Sequence, residues 1–362
     1  MTAVLVVNAG SSSLKLRVLS GDAVTGSADL PAPRGEADAD SVKAALAGFA
    51  DVAAVGHRIV HGGDIFSGPV RIDGRVRQRL GALADLAPLH QPASLAALDA
   101  VSAALAGVPA VACFDTAFHA TIPAAAATFA LPAQWRQRWT LRRYGFHGLS
   151  HAYLSRRAAA LLGGVPPRLV SCHLGAGASV AAVADGRSVD TTMGFTPQDG
   201  LVMATRSGSV DPGLLLWLQQ HAGTPPAELA ATLEYRSGLY GLAGTADMRE
   251  VLSRARAGDS RAVLAREVYL HRLRGSIAAM AAAMGGLDAL AFTGGVGENS
   301  AEIRSRAMAG LGFLGVAEDA AANADGSGDR EIGAPGASVR TLVVAAREDL
   351  EIARQVRQLL GS

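Results

Sequence analysis

The chain has 362 residues, of which 49% are hydrophobic and 18% are charged, and its formal net charge is +1. It is long enough for two globular domains, and its charge balance excludes the strongly basic surface of most nucleic-acid and membrane-surface binders. Its two cysteines, Cys113 and Cys172, lie in apolar sequence without C-x-x-C spacing, which favours buried free thiols over a disulfide or a metal site. The N-terminus has no basic stretch followed by an apolar core, so we expect a cytoplasmic protein.

Apolar periodicity and end signals predict strands and helices that alternate along the chain. The first segment, VLVVNAGSSSLKLRVLS at residues 4–20, is an apolar strand, a turn of small polar residues and a second strand. The elements predicted after it are a helix at 41–49, a strand at 53–60, a helix at 93–106, a strand at 108–115, a helix at 150–162, strands at 168–173 and 178–184, helices at 211–222 and 260–284, a strand at 288–293, a helix at 300–310, a strand at 339–345 and a helix at 348–360. This mixture predicts an α/β fold, and its hairpins distinguish it from a simple Rossmann fold or a TIM barrel.

An internal repeat relates the two halves of the chain. The segment RLVSCHLGAGASVAAVADG at residues 168–186 has the same order of strand, small-residue turn and strand as residues 4–22. Superposing the two places Gly10 on Gly175. Two interpretations are open: a duplicated domain that starts with this hairpin, or two unrelated glycine-rich hairpins. A duplication would place a ligand in the cleft between two similar α/β domains.

The turn of the first hairpin has the composition of an anion site. The sequence GSSSLK leads into a strand, whereas a P-loop leads into a helix whose N-terminal amides hold the phosphates. Backbone N–H groups and serine hydroxyls can nevertheless form an anion-binding concavity, with Lys15 as a charge at its edge. The alternative is a solvated hairpin without a ligand.

A second glycine-rich segment, ALAFTGGVGENSAEIR at residues 289–304, predicts a strand, a turn and a helix with Asn299 or Ser300 as its N-cap. Glycines allow the backbone to approach a flat or phosphorylated ligand closely. The segment is therefore a candidate nucleotide loop.

Histidines and arginines cluster between these two segments, and seven of the nine histidines fall between residues 57 and 173. Two H-x3-H pairs, which begin at His57 and His147, raise the possibility of zinc, but the chain has no HExxH motif and no third ligand at motif spacing. We favour a cleft that binds anions through Arg58 and Arg206, with imidazoles as further donors.

Motifs from residue 4 to residue 353 occur in the order and approximate spacing of those in one known family. They are NAGSSSLK, GHRIVHGG, PLHQP, FDTAFHATIP, RRYGFHGLSH, HLGAGAS, SVDTTMGFTPQDGL, TRSGSVDPG, GLAGTADMR, TGGVGENS and REDLEIA. With these motifs the chain resembles the acetate kinase (acetokinase) family over nearly its whole length.

The resemblance implies a fold of two duplicated RNase H-like domains, of the actin and sugar-kinase type, which flank a nucleotide cleft. We expect domains at 1–164 and 165–347, with a helix at 348–362 that returns to the first domain. The implied reaction is the reversible transfer of the γ-phosphate of ATP to acetate, which gives acetyl phosphate and ADP. The resemblance also implies Mg²⁺ or Mn²⁺ as cofactor and a homodimer.

The motifs also carry over the roles of individual residues. The implied catalytic residues are Arg58, Asp115, His147 and Arg206. The implied substrate-binding residues are Arg58, Val60, Leu89, Phe146 and Pro197, of which the apolar ones form the pocket for the alkyl end. The residues implied for nucleotide and phosphate binding are Asn8, Ser11, Ser13, Lys15, His90, His173, Gly175, Gly177, Asp247, Met248, Arg249, Gly294, Gly295, Val296, Gly297 and Asn299. Asn8 and Glu348 are the implied metal ligands, with Asp115 at the same end of the site.

The chemistry of this set is sensible without the resemblance. A carboxylate with a pKa near 4 to 5 is ionised at neutral pH, so its phosphorylation needs no general base. The difficulty is to bring one anion to another, which two arginines and a divalent cation relieve.

The sequence departs from the family pattern at four positions. Ala176 and Gln91 each replace an asparagine, Ala204 replaces a glycine and Ser209 replaces an aspartate. The chain is also shorter in the regions 20–50 and 64–85. Ala176 removes a side-chain donor near the phosphates, which costs roughly 1.5–3 kcal/mol if that donor bonded a phosphate.

Two alternatives to an acetate kinase remain at this point. One is a propionate or butyrate kinase of the same family, because one methylene changes discrimination by only about 1–3 kcal/mol. The other is a catalytically weak nucleotide-binding regulatory protein on the same fold.

Overall fold

The computed structural model describes residues 2–10, 13–32, 38–49, 51–87, 91–326 and 328–361. The chain forms two compact units. The first unit consists of Met1–Ala120, Phe146–Tyr153 and Arg347–Ser362, and the second unit of Thr121–Gly145 and Leu154–Ala346. The domain boundaries expected after residues 164 and 347 stay a prediction.

The first unit contains a mixed sheet of six strands in the order β3-β2-β1-β4-β6-β5. The strands are β1 (Val4–Ala9), β2 (Ser13–Ser20), β3 (Ala23–Pro31), β4 (Ala54–Ile59), β5 (Val70–Arg71) and β6 (Ala110–Phe114). The hairpin β1-β2 and strand β3 pair antiparallel, whereas β1, β4 and β6 run parallel. Parallel neighbours bring the carboxyl ends of these three strands to one edge of the sheet, where side chains can form a site.

Helices cover both faces of this sheet. They are α1 (Ala39–Ala47), α2 (Gly74–Ala82), α3 (Gln91–Ala104) and α15 (Glu348–Leu360). On β1, Leu5 and Val7 belong to the core cluster with residues of α1 and α3, while Val4 and Val6 belong to the cluster with residues of α15. A strand buried on both faces is apolar at every position, which explains the continuous run VLVV.

The approach of α15 to β4 requires a glycine in the strand. A Cβ on Gly56 would lie 2.5 Å from Ile352 Cγ2 and 2.8 Å from Val356 Cγ2. Ile352 and Val356 are fully buried, so this face of the sheet is completed by the last helix described.

The second unit contains a second sheet of six strands in the order β11-β12-β10-β7-β8-β9. The strands are β7 (Arg168–Leu174), β8 (Ala178–Ala184), β9 (Arg187–Thr191), β10 (Ala289–Thr293), β11 (Arg330–Glu331) and β12 (Arg340–Val343). Again three antiparallel strands, β7, β8 and β9, continue into parallel β10 and β12. The hairpins β1-β2 and β7-β8 therefore occupy the same place in two sheets of like topology, and the duplicated α/β fold is confirmed.

The remaining helices belong to the second unit, except that α6 begins in the first unit. They are α4 (Ala124–Ala127), α5 (Ala133–Trp139), α6 (Gly148–Leu162), α7 (Pro212–Gln220), α8 (Pro226–Tyr235), α9 (Gly238–Ala243), α10 (Met248–Arg256), α11 (Ser260–Ala283), α12 (Gly294–Asn299), α13 (Ala301–Ala309) and α14 (Ala320–Ala324). Within the described ranges, none of the helices has the combination of length and apolar character needed to cross a membrane.

Both cysteines are free thiols in the interior of a sheet. Cys113 on β6 and Cys172 on β7 are fully buried. Burial raises the pKa of each thiol above its ordinary value, because the thiolate is poorly solvated there. The expectation of buried free cysteines is confirmed.

Three histidines of the first unit are buried in their neutral form. His57, His61 and His119 are at most 1% exposed, and desolvation lowers the pKa of each to about 4. Because an unfolded chain has histidines with a pKa near 6.5, it takes up protons between pH 6.5 and 4 that the folded first unit does not. The free energy of unfolding of the first unit is therefore highest above pH 6.5 and falls as the pH is lowered from 6.5 toward 4.

We expect the first unit to lose stability at mildly acidic pH. Between pH 7 and pH 5, each of these histidines should lower the free energy of unfolding by roughly 2 kcal/mol. The urea midpoint followed by circular dichroism at both pH values measures this loss, and His57→Leu should flatten the dependence by one histidine. An equal midpoint at pH 7 and pH 5 would contradict the prediction.

Candidate functional site

Four polar side chains of the first unit meet at the edge where its parallel strands end. Asn8 lies on β1, Arg58 on β4 and Asp115 directly after β6. Glu348 is the first residue of α15. The parallel register of the three strands and the return of α15 thus bring together residues that are up to 340 positions apart in the sequence.

Arg58 is the centre of this cluster. Its Nε donates to Asp115 Oδ1 at 3.0 Å and its Nη2 to Asp115 Oδ2 at 2.6 Å, which is a bidentate pair. Its Nη1 donates to Asn8 Oδ1 at 3.1 Å, and Asn8 Nδ2 donates to Glu348 Oε2 at 3.3 Å. The guanidinium donates through all three of its nitrogens, so its orientation is fixed before any substrate arrives.

The positive charge of Arg58 is compensated within the cluster. Burial alone would lower the pKa of the Arg58 guanidinium, but the attraction of Asp115 and Glu348 outweighs burial and raises that pKa above its ordinary value. The Asp115 side chain is only 2% exposed. Arg58 is therefore a permanent cation whose main counter-ion is buried beside it.

The segment that leads into α6 lies against Asp115. Gly148 N donates to the Asp115 carbonyl at 2.8 Å, and His147 has a left-handed φ of 56°. Such a backbone conformation is rare for a residue with a side chain and is often found at functional sites. His119 Nε2 lies 3.0 Å from the carbonyl oxygen of the buried Phe146.

The apolar residues predicted for the substrate pocket do not all belong to one unit. Phe146 makes an edge contact with His61, with ring centroids 5.4 Å apart, and Val60, which precedes His61, is also buried. Pro197 belongs to the second unit. Leu89, together with His90, lies outside the described residues.

Gln91, which replaces the asparagine of the family, fixes the backbone beside Val60. The amide is buried, accepts from His61 N at 3.2 Å and donates to His61 O at 3.1 Å. This departure therefore has a structural function of its own.

The predicted phosphate turn follows β1. Gly10 N donates to Ser13 O at 2.8 Å, and Lys15 on β2 is the register partner of Asn8 and is exposed. Ser11 lies outside the described residues.

The donor set of Asn8 and Glu348 fits a hard cation such as Mg²⁺. Oxygen ligands are what Mg²⁺ prefers, and it is commonly held by one or two carboxylates together with substrate phosphates and waters. The amide oxygen of Asn8 is neutral and already accepts from Arg58, so Glu348 would be the main ligand of the pair. In the described part of the chain, no three histidine, cysteine or acidic side chains are grouped so that they could hold a metal ion.

The second unit carries the second predicted arginine. Arg206 Nη1 donates to Pro197 O at 2.8 Å, and Arg206 Nε lies 3.2 Å from Glu234 Oε1. Both side chains are largely buried, with 18% of Arg206 and 6% of Glu234 exposed.

A cavity of about 670 Å³ lies in the second unit, within the size range of small-molecule sites. Predicted nucleotide residues that line it are Gly175, Asp247, Met248, Arg249, Gly295, Val296 and Asn299. Ala176 and Ala204, two of the departures from the family pattern, also line it, and Ala204 N donates to Ala176 O at 3.0 Å. Seven of the eleven predicted nucleotide residues of the second unit thus line one cavity.

Four predicted nucleotide residues of the second unit are not part of this lining. His173 lies on β7, and Gly177 O accepts from Gly175 N at 2.9 Å in the turn after that strand. The other two, Gly294 and Gly297, are buried within α12.

The glycine-rich segment after β10 is a helix, and the expectation of a turn there was wrong. Gly294 leaves the strand with a φ of 80°, and its N–H donates to Glu298 Oε1 at 2.9 Å. The carboxylate one turn later thus satisfies the first amide of α12, which compensates for the poor helix propensity of glycine. The expected N-cap is confirmed, since Ser300 Oγ accepts from Ile303 N at the start of α13.

Arg304 holds α12 in place through a hydrogen bond to its backbone. This buried guanidinium donates to Gly297 O at 2.8 Å and to Asn323 Oδ1 at 2.6 Å. Burial lowers the pKa of Arg304 to about 10, so it remains charged at neutral pH.

Sequence reasoning missed several residues of the cavity. They are Leu239, Ala246, Leu252, Arg256, Tyr269, Ser300, Ala301 and Glu302. Most lie on helices α9 to α11 and α13 or beside them. Helix α10 was not predicted, although Asp247 before an apolar-periodic run is the N-cap signal that indicates it.

Comparisons with known proteins agree with one another. The model of the acetokinase family matches residues 38–354. An acetate kinase from Nostoc punctiforme is 48% identical over 315 residues, which cover 86% of this chain and 78% of that protein.

Solved structures give the same result. A crystal structure of Porphyromonas gingivalis acetate kinase is 35% identical with a TM-score of 0.91, and the match covers 99% of this chain and 100% of that one. A propionate kinase from Francisella tularensis is 34% identical with the same TM-score and the same coverage.

Proposed function

The chain belongs to the acetokinase family, and on this premise we propose that it transfers the γ-phosphate of ATP to acetate, reversibly, to give acetyl phosphate and ADP. The observation that carries the proposal is the Arg58 cluster, in which a fixed guanidinium lies with Asp115, Asn8 and Glu348 at one sheet edge. Arginine clamps of this kind stabilise the charge that develops in phosphoryl transfer.

No general base is needed for this reaction. Acetate is ionised at neutral pH, so its oxygen can attack the γ-phosphorus as soon as the repulsion between the two anions is overcome. The bond from the acetate oxygen to phosphorus forms as the bond to the leaving ADP oxygen breaks. We propose that Arg58 and Arg206 bind the carboxylate and the transferred phosphoryl group.

The surrounding residues orient these groups. We propose that His147 donates to phosphoryl oxygens and that Ser13 and Lys15 hold phosphate from the start of β2, next to the turn. Val60 and Phe146, both buried, would exclude water from the methyl end of acetate.

Asn8 and Glu348 would hold Mg²⁺ at the carboxyl edge of the first sheet. When bound there, the cation neutralises charge on the nucleotide phosphates.

We propose that the cavity of the second unit binds the adenosine part of ATP. Asp247 is the N-cap of α10, where it accepts from Arg249 N at 2.9 Å and pairs with the Arg249 guanidinium. The hydrogen bonds from Arg249 lower the pKa of Asp247 to about 2, so it is an anionic acceptor at neutral pH.

Asp247→Ala should raise the KM for ATP about tenfold, which corresponds to one hydrogen bond of roughly 1.4 kcal/mol, and should leave the KM for acetate within about twofold. Steady-state kinetics with each substrate varied in turn measures both values.

Asp259→Ala is the matched control, because Asp259 caps α11 and pairs with Arg254 in the same way but is not part of the cavity lining. An effect of Asp247→Ala that is confined to acetate would contradict the assignment of this cavity to the nucleotide.

The test of the proposed function is acyl-hydroxamate formation by the purified protein with ATP and Mg²⁺. Acetate, propionate and butyrate are supplied in parallel, since a propionate kinase has the same structural similarity as an acetate kinase. Highest kcat/KM with acetate supports the proposal, and highest kcat/KM with propionate or butyrate replaces acetate by that acid. No product with any acid, from a folded protein that binds ATP, would favour a nucleotide-binding protein without catalysis.

We further propose a cytoplasmic homodimer. The free, buried Cys113 and Cys172 support a reducing compartment. Helix α7 supports association, because its Leu214, Leu216 and Trp217 are each about half exposed and no residue of that helix is buried. Sedimentation equilibrium of the full chain tests the dimer.

A further inference from the structure

A buried carboxylate that no motif of the sequence pointed to lies beside Arg206. Glu234 is on the last turn of α8 and is 5% exposed. Its Oε1 lies 3.2 Å from Arg206 Nε, and its Oε2 accepts from Gln198 Nε2 at 2.9 Å. Both carboxylate oxygens therefore have a defined partner.

The backbone around this pair ties the Arg206 loop to the end of α8. Thr205 Oγ1 donates to Glu234 O at 2.8 Å, and Ser207 N donates to Leu233 O at 3.1 Å. The residues on both sides of Arg206 are thus bonded to the turn that carries Glu234. The relative position of the guanidinium and the carboxylate is determined by main-chain contacts as well as by their charges.

The same arrangement occurs in the first unit. Arg58 Nε donates to Asp115, whose side chain is 2% exposed, while Arg58 Nη1 donates to the oxygen of Asn8. In the second unit, Arg206 Nε faces Glu234 and Nη1 donates to Pro197 O. In each unit a buried carboxylate lies at the Nε edge of the arginine and a neutral oxygen accepts from Nη1.

A carboxylate at this place has a cost for anion binding. It lowers the net positive charge that the arginine presents to a phosphoryl group. The carboxylate therefore does not serve to attract the phosphoryl group. It can instead fix the orientation of the arginine, because a planar guanidinium held at Nε loses its freedom to rotate. Preorganised donors stabilise a transition state because they need no reorganisation during the reaction.

We infer that Glu234, itself held by Gln198, is a positioning residue that fixes the Arg206 guanidinium for phosphoryl transfer. This inference rests on the proposed function and on the role of Arg206 in it. Glu234 acts through Arg206 and does not contact the substrate.

The test is a double-mutant cycle on the steady-state kinetics. Glu234→Ala should lower kcat about 10- to 100-fold and change the KM for ATP less than about twofold, because orientation matters in the transition state more than in nucleotide binding. Glu234→Gln should retain kcat within about fivefold, since its amide oxygen can still accept from Arg206 Nε. In an Arg206→Ala background, Glu234→Ala should change kcat less than about twofold, because the group through which it acts is absent.

Glu228→Ala is the control on the same helix. Glu228 is exposed, and its oxygen lies 3.9 Å from an Arg236 nitrogen, also exposed, so its loss should leave kcat unchanged. Thermal melting of each variant shows whether it is folded. If Glu234→Ala does not fold, Gln198→Ala replaces it, which removes only the bond to Oε2 and should lower kcat several-fold.

Each outcome distinguishes the inference from the proposed function. If Arg206→Ala retains full kcat, the role of Arg206 is wrong and the inference falls with it. If Arg206→Ala is impaired but folded Glu234→Ala, or Gln198→Ala in its place, has normal kcat, only the inference is overturned. Equal losses from Glu234→Ala in the presence and absence of Arg206 would also overturn it, because they indicate a purely structural carboxylate.

Discussion

Arg58→Ala should lower kcat about 10²- to 10³-fold, which corresponds to roughly 3–4 kcal/mol of lost transition-state stabilisation. The reason is that the guanidinium is oriented by Asp115 and Asn8 before substrate binds, so it needs no reorganisation to bind the phosphoryl group. Arg58→Lys should be almost as poor, because an ammonium cannot make the bidentate pair with Asp115. Initial rates of acyl-hydroxamate formation measure both variants.

Arg58→Ala also removes the counter-ion of the buried Asp115 carboxylate, which by itself costs about 3–5 kcal/mol of stability. The double variant Arg58→Ala/Asp115→Asn separates the two effects, since it should regain stability but not activity. Arg77→Ala, which breaks an exposed bidentate pair with Asp99, should alter neither. Normal kcat in folded Arg58→Ala would remove Arg58 from the reaction.

Gly148→Ala should destabilise the protein by about 3 kcal/mol and lower kcat about 10²-fold. A Cβ at Gly148 would collide with the carbonyl oxygen of Asp115 and would lie 3.0 Å from Phe118 Cβ. The backbone around Gly148 or Asp115 must therefore move, and this movement displaces Asp115 and His147. Urea unfolding and steady-state kinetics measure the two effects.

Gly164→Ala is the control for this substitution, because a Cβ there meets no atom within 4 Å. It should leave both stability and kcat within the range of an ordinary surface change, about 0.5 kcal/mol. If Gly148→Ala is as stable and as active as Gly164→Ala, the close packing of α6 on Asp115 has no functional role.

The long elements could be predicted from the sequence because their signals are local. The helix predicted at 260–284 is Ser260–Ala283, and the helix predicted at 348–360 is Glu348–Leu360. Strand β3 was missed, because residues 23–31 are mostly exposed or half-buried and their apolar pattern is weak. Helix α12 was missed because its stability comes from the Glu298 carboxylate, a contact that composition does not show.

The residues of the candidate site were also predicted only in part. Arg58, Asp115 and Glu348 were predicted from motifs, and the parallel strands together with the return of α15 bring them to one edge. Glu234 was not predicted, because its importance lies in an ion pair across 28 residues and in burial at a helix end. A single glutamate on an amphipathic helix is ordinarily a solvated residue, so only the structure distinguishes it.

The return of α15 to the first sheet also affects how the chain can fold during synthesis. Domains usually fold as the ribosome delivers them, with the N-terminal one first. Here β1 and β4 emerge early, yet one of their faces stays uncovered until Ile352, Ala353 and Val356 have been made. The second unit, which ends at Ala346, is complete before that. The first unit is therefore the last to mature, and because Glu348 arrives on the same helix, a nascent chain lacks its proposed metal ligand until this final step.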